Sequence, residues 1–440
     1  MASTYLTWTP SNTGTRTTFT WSFWVKRNNL GSYQKIHDAD YNNDANYYSS
    51  LYFKDDDTIN MSNIDGGSTN ISWSTSRKFR DVNAWYHIVV TFDTTNGTAN
   101  DRIRCYVNGE RETLTGTFAV AQGTDNTFWN RSGNKNWIGA KSVSVSDYLQ
   151  ACLSHYHFID GTAYDATAFG QYDANGVWTI KTSPSVTYGT NGFFILKDGN
   201  SVTDQSGNSN NFTVGGGTLT KTEDNPSNVF ATGNPLDNGA DKNPVYLNGN
   251  NSYSVGSSVW RYAISTLGMS KGKFYMEQKM VSGERFAGVT DQYDNLQNNQ
   301  TYAGSTALSI GYYENGNKYN SDSGSSYGNS YTTGDIIGTA IDVDNGKLYF
   351  SKNGTWQNSG VPTSGATGTG AITLPTSSNS TNVWFFVPSI NNGIIQVNYG
   401  NGYFGTTAVS SAGTNASGNG IFEYDVPTGY TALSTKGLNL

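Results

Sequence analysis

At 440 residues the chain exceeds one ordinary hydrophobic core, and roughly 100 to 200 residues per domain divides it into two or three. It is 14% aromatic and only 14% charged, and its 50 glycines accompany many Ser, Thr and Asn, a mixture that favours strands and tight turns and, lacking runs of 3.6-residue periodicity, excludes long helices. The net charge of −7, with 27 Lys and Arg scattered rather than striped, argues against a nucleic-acid partner, and no apolar run approaches the ~20 residues of a membrane-spanning helix, so no membrane insertion is expected.

The first residues, "MASTYLTWTP", have neither the charged nor the apolar segment of a signal peptide, so none is expected. "FTWSFWVKR" then alternates, with Phe19, Trp21, Phe23 and Val25 on one face and Thr20, Ser22 and Trp24 on the other. "AWYHIVVTFD" (84–93) and "RIRCYVNGE" (102–110) form a hairpin whose second strand ends in an Asn-Gly turn. "NWIGA" and "CLSHYHFIDG" supply further strands, and "TAYDATAFG" is the best candidate for a helical turn. The two cysteines, Cys105 and Cys152, are too few for a disulfide framework, and each suits a buried free thiol.

Residues 165–243 read as an ordered connecting segment, because Phe193, Phe194, Ile195 and Leu196 are too apolar for a free linker. A second series of strands follows from Pro244, with "NG" at 315–316 and 353–354 and "DNG" at 344–346 as hairpin turns of the type that needs positive φ. "GKLYFSKNGTW" (346–356) nearly repeats "RIRCYVNGE", as two similar sandwiches would require. The fold class is all-β: two antiparallel β-sandwiches of jelly-roll type, 1–164 and 244–408, joined by 165–243 and followed by a C-terminal tail, 409–440.

"FTWSFWVKR", "WYHIVVTFD", "IRCYVNG", "NWIGA" and "HFIDGTAY" resemble a laminin-G or concanavalin A-like jelly roll, and "SIGYYENGNKYN", "GDIIGTAIDVDNGKLYFSKNGTW" and "FFVPSINNGIIQVNYG" resemble a SPRY domain. The pairing of the two, with "DATAFGQYDANGVW", "YGTNGFF", "DQSGNSNNF" and "NPLDN" between them, is similar to virion proteins of tailed bacteriophages, notably those infecting marine bacteria. Where such proteins usually carry Gly before "HFIDG", this chain has Ala151. The resemblance implies a non-enzymatic component of the virion surface, made in the host cytoplasm: a fibre, tail appendage or head decoration. Other virion proteins and a host surface glycan are its expected partners, and fibre analogy implies a homo-oligomer, a trimer by preference.

For that role the informative residues are aromatics in polar loops, since rings stack on sugar C–H faces while amides and hydroxyls bond the hydroxyl groups. The candidate ligand contacts are Tyr47, Tyr48, Trp129, Arg131, Tyr293, Tyr319, Tyr327 and Tyr331. The same residue types suit a protein interface. A polysaccharide depolymerase on the same scaffold would need two carboxylates facing a groove, and Glu110 and Glu112 are the only closely spaced Glu pair, beside a hairpin corner where exposed acids are ordinary. A purely structural decoration of capsid or tail is the other alternative. No cofactor is expected. Asp55 and Asp57 could offer oxygens to calcium, as could Asp38, Asp40 and Asp44, but without a fixed spacing a polar turn is the expectation. His155 and His157 share a strand face, for which packing is the simpler reading than a metal.

Overall fold

The computed structural model describes residues 3–125, 127–197, 199, 201–237, 244–291 and 302–440. It forms two compact units, 1–221 and 222–440. The boundary falls inside the stretch read as a connecting segment.

Unit 1 begins with β1 (Tyr5–Trp8), β2 (Thr18–Arg27), β3 (Gln34–Tyr41), β4 (Asp44–Phe53), β5 (Ile59–Asp65) and β6 (Ser68–Thr75). It continues through β7 (Tyr86–Asp93), β8 (Ile103–Val107), β9 (Glu110–Arg111), β10 (Leu114–Thr117), β11 (Asn136–Ile138) and β12 (Ala151–Asp160). β13 (Gly170–Tyr172), β14 (Trp178–Ile180), β15 (Phe193–Ile195) and β16 (Thr213–Gly216) complete it. One sheet has the order β10-β6-β5-β4-β3-β11-β1-β16, the other β15-β12-β2-β7-β8-β9. Phe19, Trp21, Phe23 and Val25 enter the core between them, as their alternation requires.

The opposite face of β2 is buried as well. Ala166, Phe169, Trp178 and Tyr188, from the stretch that follows β12, lie over Val89 and Ile159 on the outside of the second sheet. Within it a 3₁₀ turn, Ala166–Ala168, is capped by Asp165, which accepts the Thr167 N–H. Ala151 opens β12 half-buried against the core, so its methyl is accommodated. Cys105 and Cys152 are not bridged to each other, and burial pushes the Cys105 thiol well above its ordinary range.

Unit 2 contains β17 (Val245–Leu247), β18 (Ser252–Tyr262), β19 (Lys273–Asp291), β20 (Ser309–Tyr313), β21 (Asn317–Asn320) and β22 (Ser323–Ser326). Then come β23 (Ile336–Asp342), β24 (Lys347–Lys352), β25 (Thr355–Trp356), β26 (Ile372–Thr373) and β27 (Trp384–Phe386). β28 (Ser389–Asn398), β29 (Tyr403–Phe404), β30 (Thr407–Ala408) and β31 (Thr431–Ala432) end the chain. β19 organises the unit: its first part pairs with β23, its last with β20 and β27, and β28 runs along the middle. Register shifts at 280–284 accompany the change of partner, and Gly283, at φ +79°, passes where a Cβ would strike Asn391 O at 2.5 Å. The last residues belong to this unit. β31 pairs in parallel with β19, and Phe422 and Tyr430 are buried against Tyr275 and Tyr349.

The two Asn-Gly corners that the sequence repeats both have positive φ throughout, at Asn108 and Gly109 and at Asn353 and Gly354. At 315–316 and 344–346 only Gly316 and Gly346 take positive φ, so those turns are not of the two-residue type expected.

Candidate binding site

Three of the expected contact residues are core residues. Trp129 is fully buried, edge-on to Trp21 at 4.4 Å. Tyr327 is buried, its hydroxyl accepting the Phe350 N–H at 3.2 Å. Tyr331 is buried and donates to the Tyr312 carbonyl at 2.6 Å. None reaches a ligand, because the polar residues around them turn outward or bond the backbone while the ring turns in. Tyr293 lies outside the described residues.

Tyr47, Tyr48 and Arg131 are half-exposed. Tyr47 meets Tyr41 edge-on at 6.4 Å, and the Arg131 guanidinium lies 4.7 Å over the Tyr41 ring. Tyr48 is the neighbour of Lys35 instead, at 6.0 Å.

Of the acidic candidates, Asp57 and Asp38 are held by other partners. Asp57 is buried, with Arg27 Nη1 at 3.0 Å, Arg80 Nε at 3.0 Å and the Gly31 N–H at 2.8 Å. Burial alone would raise its pKa, but these donors outweigh burial and hold it below the ordinary carboxylate range, so calcium would have to displace two guanidinium groups. Asp55 is exposed, and Asp38 accepts from the Ser142 backbone and hydroxyl. Among the described residues no group of three or more His, Cys, Asp or Glu is arranged to hold a metal. Glu110 and Glu112 share Arg77, at 3.7 and 2.7 Å. His157 stacks on Phe194 at 3.9 Å, bonds the Tyr188 hydroxyl and, by burial, is held far below its ordinary pKa.

Tyr319 is the expected residue that the fold places among other open rings. Antiparallel register sets Phe286 of β19 opposite Tyr313 of β20, and Gly311 of β20 opposite Tyr319 of β21. Phe286 stacks on Tyr313 at 4.6 Å and on Tyr302 at 4.7 Å, Trp260 of β18 closes on it at 5.2 Å, and Tyr319 meets it edge-on at 5.4 Å. Phe286 is buried beneath, while Trp260, Tyr302, Tyr313 and Tyr319 are half-exposed, forming an aromatic ledge on the outer face of the sheet. Polar groups stand at its rim: Asn391 donates to Glu284 at 2.8 Å, Tyr302 bonds Asp322, and Arg285 donates to Glu314 at 2.8 Å. Gly311 and Gly288 make room for the turn at 302–305, since a Cβ at either would fall within 2.3 Å of Ala303. Trp260, Phe286 and Tyr313 were not among the expected contacts. The signal for them was strand alternation in "WRY", "RFAG" and "GYY", read together with their pairing.

The other face of the β21–β22 hairpin borders a groove of about 150 Å³. Ile310, Ile372 and Pro375 supply its apolar surface, and Lys318, Ser323 and Ser325 its polar border.

With this geometry in place, two family models match the chain: "Concanavalin A-like lectin/glucanases superfamily" over residues 1–167 and "SPRY domain" over residues 245–380. The chain carries one domain of each kind. A heptameric SAP-like pentraxin from Limulus polyphemus is 19% identical over 37% of this chain and 71% of its own, with a TM-score of 0.28. The SPRY domain of human HERC1 is 16% identical over 33% and 87%, with a TM-score of 0.26. Stonustoxin is 19% identical over 38% and 27%, with a TM-score of 0.28. No curated protein matches the sequence. The ledge, the hairpin and the groove all lie within the SPRY match.

Proposed function

We propose that this protein is a non-enzymatic binding protein that holds a surface glycan on the aromatic ledge of its SPRY domain. The supporting observation is the open ring cluster built on Phe286, bordered by carboxylates and amides, since sugars offer apolar C–H faces and directed hydroxyls together. A concanavalin A-like domain beside a SPRY domain agrees with carbohydrate or protein binding. We place it on the surface of a tailed-phage virion, on the sequence resemblance already described. A shallow site of ~1 mM, about −4 kcal/mol, gains roughly 10² to 10⁴ in avidity when several copies act together, as a homo-oligomer on a particle would allow.

Glycan arrays probed with the full chain and with Trp260→Ala, Tyr302→Ala and Glu284→Gln test this reading. Glu284 is exposed, so its variant separates lost recognition from lost folding. Binding that falls about tenfold or more in each variant supports the ledge. Undiminished binding in all three, or oligosaccharides released from host capsule on incubation, overturns the reading.

A further inference from the structure

The β21–β22 hairpin presents the ledge on one face and the groove on the other, as a two-residue period dictates. Its edge is a third surface. Ser321 and Asp322 have φ of +53° and +58°, so this is a two-residue turn closed by the hydrogen-bonded pair Asn320 and Ser323. Pairing then alternates: Lys318 and Ser325 are bonded, whereas Gly324 and Ser326 direct both N–H and C=O away from β21. The bond that follows, from Tyr327 N–H to Gly316 O at 3.1 Å, keeps that phase.

Among the described residues β22 pairs with β21 alone, and β26, across the groove, with β24 alone. All four residues of β22 are exposed and uncharged, with neither a Pro nor an inward charge, so only the shortness of the strand protects this free edge. The hairpin is also tied to the turn before it and to β20. Asn320 Nδ2 donates to Ser309 O at 2.8 Å, and the Ser321 and Asp322 N–H groups donate to Thr306 O and Gly304 O, each at 3.0 Å.

We propose that β22 is a docking edge for an extended peptide of a protein partner, which adds as a further strand by bonding Gly324 and Ser326. An added strand sends alternate side chains toward the groove, where Ile310, Ile372 and Pro375 offer apolar contact. The groove of about 150 Å³ is open, apolar at Ile310, Ile372 and Pro375 and polar along the hairpin, and has room for one side chain, so the peptide carries one branched or aromatic side chain there. Lys318, which no carboxylate pairs among the described residues, selects an acidic residue on the same face of the peptide, one of the next alternate positions. Tyr319 borders both the groove and the ledge, but the bonds proposed here are made by Gly324 and Ser326, and the proposal does not depend on glycan binding.

The probe is a displayed library of random linear dodecapeptides, selected on the full chain, with the enriched peptides then measured against Ser326→Pro and Lys318→Glu. Proline removes only an N–H that points away from β21, a position where an edge strand tolerates it. Enrichment of at least tenfold for peptides with alternating apolar residues and an acid, lost on Ser326→Pro and reduced about fivefold on Lys318→Glu, supports the proposal. Lys318→Glu leaves every hairpin bond in place, so it decides the matter if the proline variant fails to fold. Peptides captured equally by all three proteins, or none captured, overturn it. So does a wild-type dimer in sedimentation that Ser326→Pro makes monomeric, because the edge would then pair with a second copy of this chain.

Discussion

Trp129 sits edge-on to Trp21 in a largely polar stretch of which Asn130, Asn134 and Asn136 are buried too. Asn130 Nδ2 donates to the Thr15 carbonyl at 2.9 Å and to Asp160 at 2.7 Å, and Asn134 donates to the Phe128 carbonyl at 3.1 Å. These amides satisfy the backbone of a buried loop, so polarity here reports hydrogen bonding rather than exposure. Trp129→Ala should therefore cost unit 1 about 3–5 kcal/mol in urea unfolding and leave glycan binding per folded molecule unchanged. Asp57→Asn should cost a similar ~3–5 kcal/mol, because it strands the fully buried Arg27; a cost under about 1 kcal/mol would mean that the pair is expendable.

Each Asn-Gly corner is covered by a ring from farther along the chain. A Cβ on Gly109 would come within 2.5 Å of the Trp178 ring, and one on Gly354 within 2.7 Å of Tyr424. Positive φ and the lack of space act together at both sites. Gly109→Ala and Gly354→Ala should each destabilise their own unit by at least about 1 kcal/mol, whereas Gly97→Ala, with open space and no positive φ, should be close to neutral; equal melting of all three would refute the covering role. In unit 2 the covering segment is fixed from below. Glu277, fully buried on β19, accepts the Glu423 and Tyr424 N–H groups, each at 2.8 Å. Truncation after Ala408 removes these bonds with Phe422, Tyr430 and β31, and the shortened chain should lose cooperative melting of unit 2.

Across the molecule the two units should respond to acid in opposite senses. Unit 1 buries three histidines as neutral rings: burial pushes His37 down to about 4 and His87 to about 3, and His157 well below its ordinary value. The Trp178 N–H donates to His87 Nδ1, leaving Nε2–H to donate to Ser22. Because the unfolded chain binds protons below about 6.5 and the folded rings do not, unit 1 loses stability as pH falls from 6.5 toward 4, by about 2 kcal/mol at pH 5 for each of His37 and His87. In unit 2 burial raises Glu277 to about 7 against an ordinary 4.5. The folded state then takes the proton first, so its contribution is complete below 4.5 and is lost as pH rises through 7, a gain of about 2 kcal/mol on going from pH 7 to 5. Calorimetry of the full chain at pH 7 and 5 should show one transition moving down and the other up; parallel movement would refute the assignment.

What the sequence determined by itself was the β architecture and the family likeness of each sandwich. Alternation such as Phe19, Trp21, Phe23 and Val25 is local and periodic, and corners such as Asn108-Gly109 demand a backbone conformation that few residues adopt. Which rings face solvent was decided by the tertiary structure. Tyr319 and Tyr331 occur in the same polar stretch, yet pairing with Gly311 sends the first outward and a bond to Tyr312 holds the second in the core. The ledge joins Trp260, Phe286, Tyr302, Tyr313 and Tyr319 from separate strands, so no window of sequence contains it. A ring's exposure depends on strand register and on which distant segment covers it, and both are long-range properties that composition does not carry.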